Sequence, residues 1–154
     1  MQLEIVYGDL LQQDVEVIVN AWNRNIIPWW LLMPQGVSGA IKKKGGYQPF
    51  KELAKYGAIP LGGAVETSAG RLSFKAIIHV AGISMFWISS YRSVTQSVKN
   101  AILLAKSKNY QSIAFPLIGA GTGGSKQEKV LDWMQEALNE MEYDGTVKIV
   151  IFKT

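Results

Sequence analysis

Two rhythms of apolar and polar positions run through the chain. Leu3 to Tyr7 and Val15 to Val19 read as strands, the second almost continuously apolar, as a strand covered on both faces should be. Val37 to Lys44 has helical composition and stops at Gly45-Gly46, a natural terminator, and Pro49 to Lys55 predicts a second short helix. Ala64 to Ser68 and Ala76 to Ala81 predict two more strands, joined by turn chemistry at Ala69-Gly70-Arg71. From Tyr91 to Lys108, the residues Val94, Val98, Ala101, Ile102 and Ala105 recur at helical spacing and form one apolar face. Ser112 to Ile118 is again a strand. A second long helix then aligns Val130, Leu131, Met134, Leu138 and Met141, and Ser125-Lys126-Gln127-Glu128 has the form of a capping box at its start. Val147 to Phe152 closes the chain as a strand. Strands and helices interleave without repeat, linker or low-complexity tract, which predicts one α/β domain over residues 1–154.

Composition narrows the chemistry. With 154 residues, 48% hydrophobic and 18% charged, the chain has the balance of a globular domain that buries a real core. It has no cysteine, which removes disulfides, thiolate metal sites and cysteine nucleophiles and suits a reducing cytoplasm. The start of the chain does not read as a signal peptide, and Ile26 to Met33, the longest apolar run, contains Pro28 and is far too short to span a membrane. A net charge of +4 raises a nucleic-acid reading through Lys42-Lys43-Lys44, but a lysine run on a helix ordinarily makes a solvated face. The basic and aromatic alternation of a single-strand binder is also missing.

The sharpest local signal is Gly119-Ala120-Gly121-Thr122-Gly123-Gly124, set between an apolar strand and a helix. Such a loop offers backbone N–H groups to phosphate oxygens, and glycine lets the anion approach closely. Its spacing matches a dinucleotide fingerprint, yet only one strand follows and no acid closes it, so a Rossmann unit does not fit. Other pieces must complete the site. Gly8-Asp9-Leu10, Asn20-Ala21-Trp22-Asn23 and Gly36-Val37-Ser38 each follow a strand or open a helix. Ligands of open α/β sheets bind beyond the strands' carboxyl ends, where one acid, two asparagines and two anion-receptive loops suit an adenosine diphosphate ligand.

These pieces, with Val17-Ile18-Val19, Gly39-Ala40-Ile41, Ile77-Ile78-His79-Val80-Ala81-Gly82 and Ser112-Ile113-Ala114-Phe115-Pro116-Leu117, resemble the macro domain family in order and spacing over nearly the whole chain. The resemblance implies a three-layer α/β/α sandwich around a mixed, mostly six-stranded sheet, with ADP-ribose across its crest. By similarity, Asp9 accepts from the adenine amino group and Leu10 donates a backbone N–H. Asn23 addresses the distal ribose, with Asn20 close by. The backbone at Gly36, Val37 and Ser38 and the loop Gly119, Ala120, Gly121, Thr122, Gly123 and Gly124 clasp the pyrophosphate and distal ribose. No cluster of histidine, aspartate and glutamate has metal-ligand spacing, so no metal is expected, and no cofactor either.

Departures from the family bear on catalysis. Trp22 replaces a small residue, Met33-Pro34-Gln35 precede Gly36 where glycines are common, Ser38 stands at the position of an acid, and Gly123 replaces an aromatic. The first reading is therefore a binding module for ADP-ribose or an ADP-ribosylated macromolecule. The alternative is a hydrolase that removes ADP-ribose or dephosphorylates ADP-ribose 1″-phosphate, with Asn23 and Ser38 as the catalytic candidates; a nucleic-acid-binding domain ranks below both. His79, the only histidine, lies within an apolar strand and reads as a satisfied buried ring rather than a base. The insertion Asn25 to Gln35, with Trp29 and Trp30, has three readings: a loop folded onto the core, a flap over the ligand, or a self-association patch.

Overall fold

The computed structural model describes residues 1–31, 36–83, 89–119 and 126–152. Six strands form one sheet: β1 (Gln2–Gly8), β2 (Val17–Trp22), β3 (Ala64–Thr67), β4 (Ala76–Ala81), β5 (Ser112–Pro116) and β6 (Thr146–Phe152), in the order β1-β6-β5-β2-β4-β3. Every pair is parallel except β3 with β4, so the sheet is mixed. Helices α1 (Gly36–Gly45) and α2 (Gln48–Ala54) cover one face, and α3 (Tyr91–Ser107) and α4 (Gln127–Asn139) cover the other.

Strand periodicity explains the layering. Val17 and Val19 of β2, with Ala76, Ile78 and Val80 of β4, meet Val94, Val98, Met134 and Leu138 of α3 and α4. Their neighbours Ile18, Trp22, Ile77 and Ala81 point the other way, onto Ile41, Phe50 and Leu53 of α1 and α2. A one-residue slip would exchange the two sets, so this register is strongly specified. Phe50 has no exposed surface and its ring centroid lies 5.3 Å from Trp22 and 5.9 Å from His79. Phe50→Ala should therefore cost about 3–5 kcal/mol, through lost burial plus a cavity, measured by urea denaturation with wild type as reference.

Several boundaries move. β2 begins at Val17 because the backbone of Glu16 is already engaged: its N–H donates to Ser112 Oγ at 2.8 Å, and its carbonyl accepts from Lys75 N at 2.7 Å. The strand then continues past Val19 to Trp22, pairing with His79, Val80 and Ala81. β5 ends at Pro116, which has no N–H to extend a ladder. α1 ends at Gly45, and Gly46, at φ 83°, donates back to Lys42 O at 3.1 Å. In the turn between β3 and β4, Gly70 has φ 60° and a Cβ there would lie 2.3 Å from Gly45 O, so only glycine fits.

The capping expectation changes as well. α4 starts at Gln127, with Lys126 in the cap position making no side-chain bond, while Ser125 lies outside the described residues. Glu128 thus stands in the first turn, where its charge suits the helix dipole. A reciprocal box is found instead at α3, where Ser90 and Ser93 satisfy each other's backbone N–H. Among the described residues no helix is long and apolar enough to cross a membrane.

Candidate functional site

The parallel strands bring Gly8, Trp22, Ala81, Pro116 and Phe152 to one rim. From that rim β2 leads to α1 on one face, while its neighbour β5 leads to α4 on the other. Adjacent strands whose connections leave in opposite directions open a crevice at their ends. Asp9, Asn23 and Gly119 follow the ends of β1, β2 and β5 there.

Asp9 caps the short 3-10 turn Leu10–Gln12: its Oδ1 accepts from Leu11 N at 2.9 Å, and its Oδ2 lies 3.8 Å from Lys44 Nζ. Leu10 is buried against the α1 side of the sheet. Gly36 opens α1 at φ 56°, a left-handed conformation, with no atom within 4 Å of a would-be Cβ. Its exposed backbone and that of the half-buried Val37 and Ser38 form the first turn of a ten-residue helix, where N–H groups and dipole favour an anion. Gly119 continues from β5 at φ 77°, and a Cβ there would fall 2.5 Å from the Cβ of Ser89. Ala120, Gly121, Thr122, Gly123 and Gly124 lie outside the described residues.

The two asparagines separate. Asn20 is completely buried; its Oδ1 accepts from Ser38 Oγ at 2.8 Å and its Nδ2 meets His79 Nδ1 at 3.0 Å. Asn23, at the strand end, accepts from Asn25 N at 2.6 Å through Oδ1, an Asx turn that orients its amide. Asn25 holds the same turn from the far side, at φ 63°, by donating to Leu53 O and Gly57 O at 2.8 Å each.

His79 is a satisfied core ring. It has no exposed surface, Nε2 lies 2.8 Å from Thr67 Oγ1, and burial pushes its pKa down to about 3, against an opposing pull from the Glu52 charge. The ring is neutral at physiological pH.

Lys42 is not part of a solvated face. Lys43 and Lys44 are exposed, but Lys42 turns inward, 7% exposed, where its ammonium donates to Trp29 O at 3.2 Å. It lies 5.0 Å from the Phe50 ring centroid, 5.6 Å from Trp22 and 6.0 Å from Trp29. Burial holds its pKa below the ordinary lysine value. The cage accounts for the bulk of Trp22 and takes in Trp29 of the insertion, which stacks on Tyr47 at 5.2 Å and packs inward, whereas Trp30 remains 67% exposed and residues 32–35 lie outside the described residues. A surface cavity of about 730 Å³ borders Trp29, Trp30, Tyr47, Lys43 and Gly36 beside this cage. Sequence reasoning missed the cage because a lysine within a lysine run carries no mark of burial. Among the described residues no cluster of histidine, aspartate and glutamate could hold a metal.

Comparison with known proteins sharpens the picture. Residues 19–134 match the family model described as Macro domain. An O-acetyl-ADP-ribose deacetylase of Klebsiella pneumoniae is 36% identical over 140 residues, covering 86% of this chain and 76% of that protein. A macro domain-containing protein of Listeria monocytogenes is 35% identical over 163 residues, covering 99% of this chain and 89% of its own length. A mutant macrodomain of Oceanobacillus iheyensis, solved with ADPR, superposes with a TM-score of 0.85 at 28% identity, over 98% of this chain and 85% of that one.

Proposed function

The chain belongs to the macro domain family, and from that premise we propose that the crevice at its strand ends binds ADP-ribose, free or attached to a macromolecule. The observation that carries this reading is the presence of two features on the same side of the sheet: the Asp9 turn that follows β1 and the open first turn of α1 at Gly36. One offers a carboxylate and the other backbone N–H groups, the complement of an adenine amino group and a pyrophosphate. The Oceanobacillus iheyensis macrodomain mutant solved with ADPR supports the same ligand. Asn23 is assigned to the distal ribose, and the glycines after Gly119 to the phosphates. A reducing cytoplasm suits a chain without cysteine.

Calorimetric titration with ADP-ribose tests the proposal, with a polyanion as control for net-charge attraction. Asp9→Ala should weaken binding about tenfold to hundredfold, since a charge-assisted hydrogen bond contributes roughly 1.5–3 kcal/mol. Equal affinity in the variant would remove Asp9 from the site. The second reading, a hydrolase, is favoured by the deacetylase relative. It is opposed by Ser38, whose hydroxyl is tied to Asn20.

A further inference from the structure

We infer that Asn20, His79 and Thr67 form a directional hydrogen-bond relay that takes the Ser38 proton inward and leaves Ser38 only an acceptor towards the cleft, on the first turn of α1, and that the residue at position 38 sets the tautomer of His79.

The direction follows from which atoms are able to donate. At the inner end Thr67 Oγ1 donates to Ser68 O at 3.0 Å, and the relay is built on that bond being kept rather than given up for His79 Nε2. With its proton on Ser68 O, Thr67 Oγ1 accepts from His79 Nε2 at 2.8 Å, which places the ring proton on Nε2. His79 Nδ1 is left with a lone pair, and it accepts from Asn20 Nδ2 at 3.0 Å. Asn20 Oδ1 therefore faces Ser38 Oγ at 2.8 Å, and Ser38 must donate. Asn20 and His79 have no exposed surface and Thr67 has 4%, so water cannot replace a member or reverse the chain. The Ser38 proton is directed inward. Only its lone pairs remain, so on the cleft side it can receive a hydrogen bond from a ligand hydroxyl or a water and cannot give one. Asn20, His79 and Thr67 are positioning residues, since they act through Ser38.

A carboxylate at position 38 inverts the chain. It cannot donate, so the Asn20 amide must rotate to present Nδ2 to it. Asn20 Oδ1 then faces His79 Nδ1, which must carry the proton, and Nε2 must accept from Thr67 at the cost of the Ser68 bond. A substitution on a helix is thus read two side chains away, inside the sheet.

Because His79 is the only histidine, nitrogen-15 spectra of the full chain report it alone. Wild type should show a protonated Nε2 and a bare Nδ1. Ser38→Asp should exchange them, and Ser38→Ala, which cannot contest the Asn20 amide, should not. A bare Nε2 in wild type overturns the relay whether or not the variant folds, and so does an unchanged tautomer in folded Ser38→Asp. The second arm rests on the ADP-ribose reading: Thr67→Val should lower ADP-ribose affinity about tenfold, the value of one hydrogen bond, and Thr67→Ser should restore it. Unchanged affinity in Thr67→Val, with ADP-ribose bound by wild type, counts against the relay. If wild type binds no ADP-ribose but the tautomers behave as stated, the ligand proposal fails and the relay stands.

Discussion

Acidification from pH 7 to pH 4.5 should cost the fold about 2–3 kcal/mol through His79 alone, and His79→Gln should be nearly insensitive over the same range. The ring's pKa falls from an ordinary 6.5 to about 3 on folding, because burial penalises the imidazolium. Between those values the unfolded chain takes up a proton that the folded chain refuses. Stability from this group is therefore complete above pH 6.5, declines by up to about 1.4 kcal/mol per pH unit below it, and stops declining near pH 3, where the folded ring also protonates. Glu16 and Glu52 add their own acid lability, since hydrogen bonds from Lys75 and from Ser68, respectively, lower their pKa from 4.5. Depressed carboxylates lose their contribution only as pH falls below that value, so the interval from 6.5 to 4.5 belongs to the histidine. Glutamine both donates and accepts, so it can span Asn20 and Thr67 without titrating. Urea unfolding at half-unit pH steps measures both proteins. A wild-type midpoint as flat as the variant's would show that His79 is not held neutral.

What the sequence disclosed depends on how local each signal was. Ala76–Ala81 is a strand buried along its length, and its six residues are visible as an apolar run broken only by His79. The face of α3 was equally legible, because a helix of 17 residues repeats its pattern several times. β2 was harder. Its apolar run begins at Val15, but the ladder begins where Glu16 is released from Ser112 and Lys75, contacts more than fifty residues away in sequence. Lys42 shows the same limit: nothing in three successive lysines marks the middle of an aromatic cage, which arises only when α1 meets Trp22, Trp29 and Phe50. For the site, the positions of Asp9 and Asn23 at strand ends and of Gly36 at a helix start followed from connectivity. The burial of Asn20 did not, since a strand's register decides which asparagine faces α1 and which reaches the rim.

Hydrolysis of O-acetyl-ADP-ribose, the chemistry named for the Klebsiella relative, should be slow in this chain, on the order of 10²–10⁴-fold below what a positioned carboxylate would achieve. A water attacking beside the distal ribose needs a group that accepts its proton. Ser38 is neutral at pH 7 and already donates to Asn20. His79 is sealed inside the sheet with both nitrogens engaged, and Lys42 is held behind its aromatic cage by the Trp29 carbonyl. The Asn23 carbonyl oxygen is turned to the backbone of Asn25, so its amide can position a ribose but not remove a proton. Asp9 is the carboxylate of the described rim, and by family resemblance it stands at the adenine end of the ligand. Slow turnover would then come from orientation alone. Acetate release measured at saturating substrate tests this, with Asn23→Ala expected to abolish the residual rate. Ser38→Asp should accelerate it at least about tenfold, once the Asn20 amide has rotated to accommodate the new charge. Fast turnover by wild type, left unchanged by Ser38→Asp, would mean that another group activates the water and that this macro domain is an enzyme rather than a binding module.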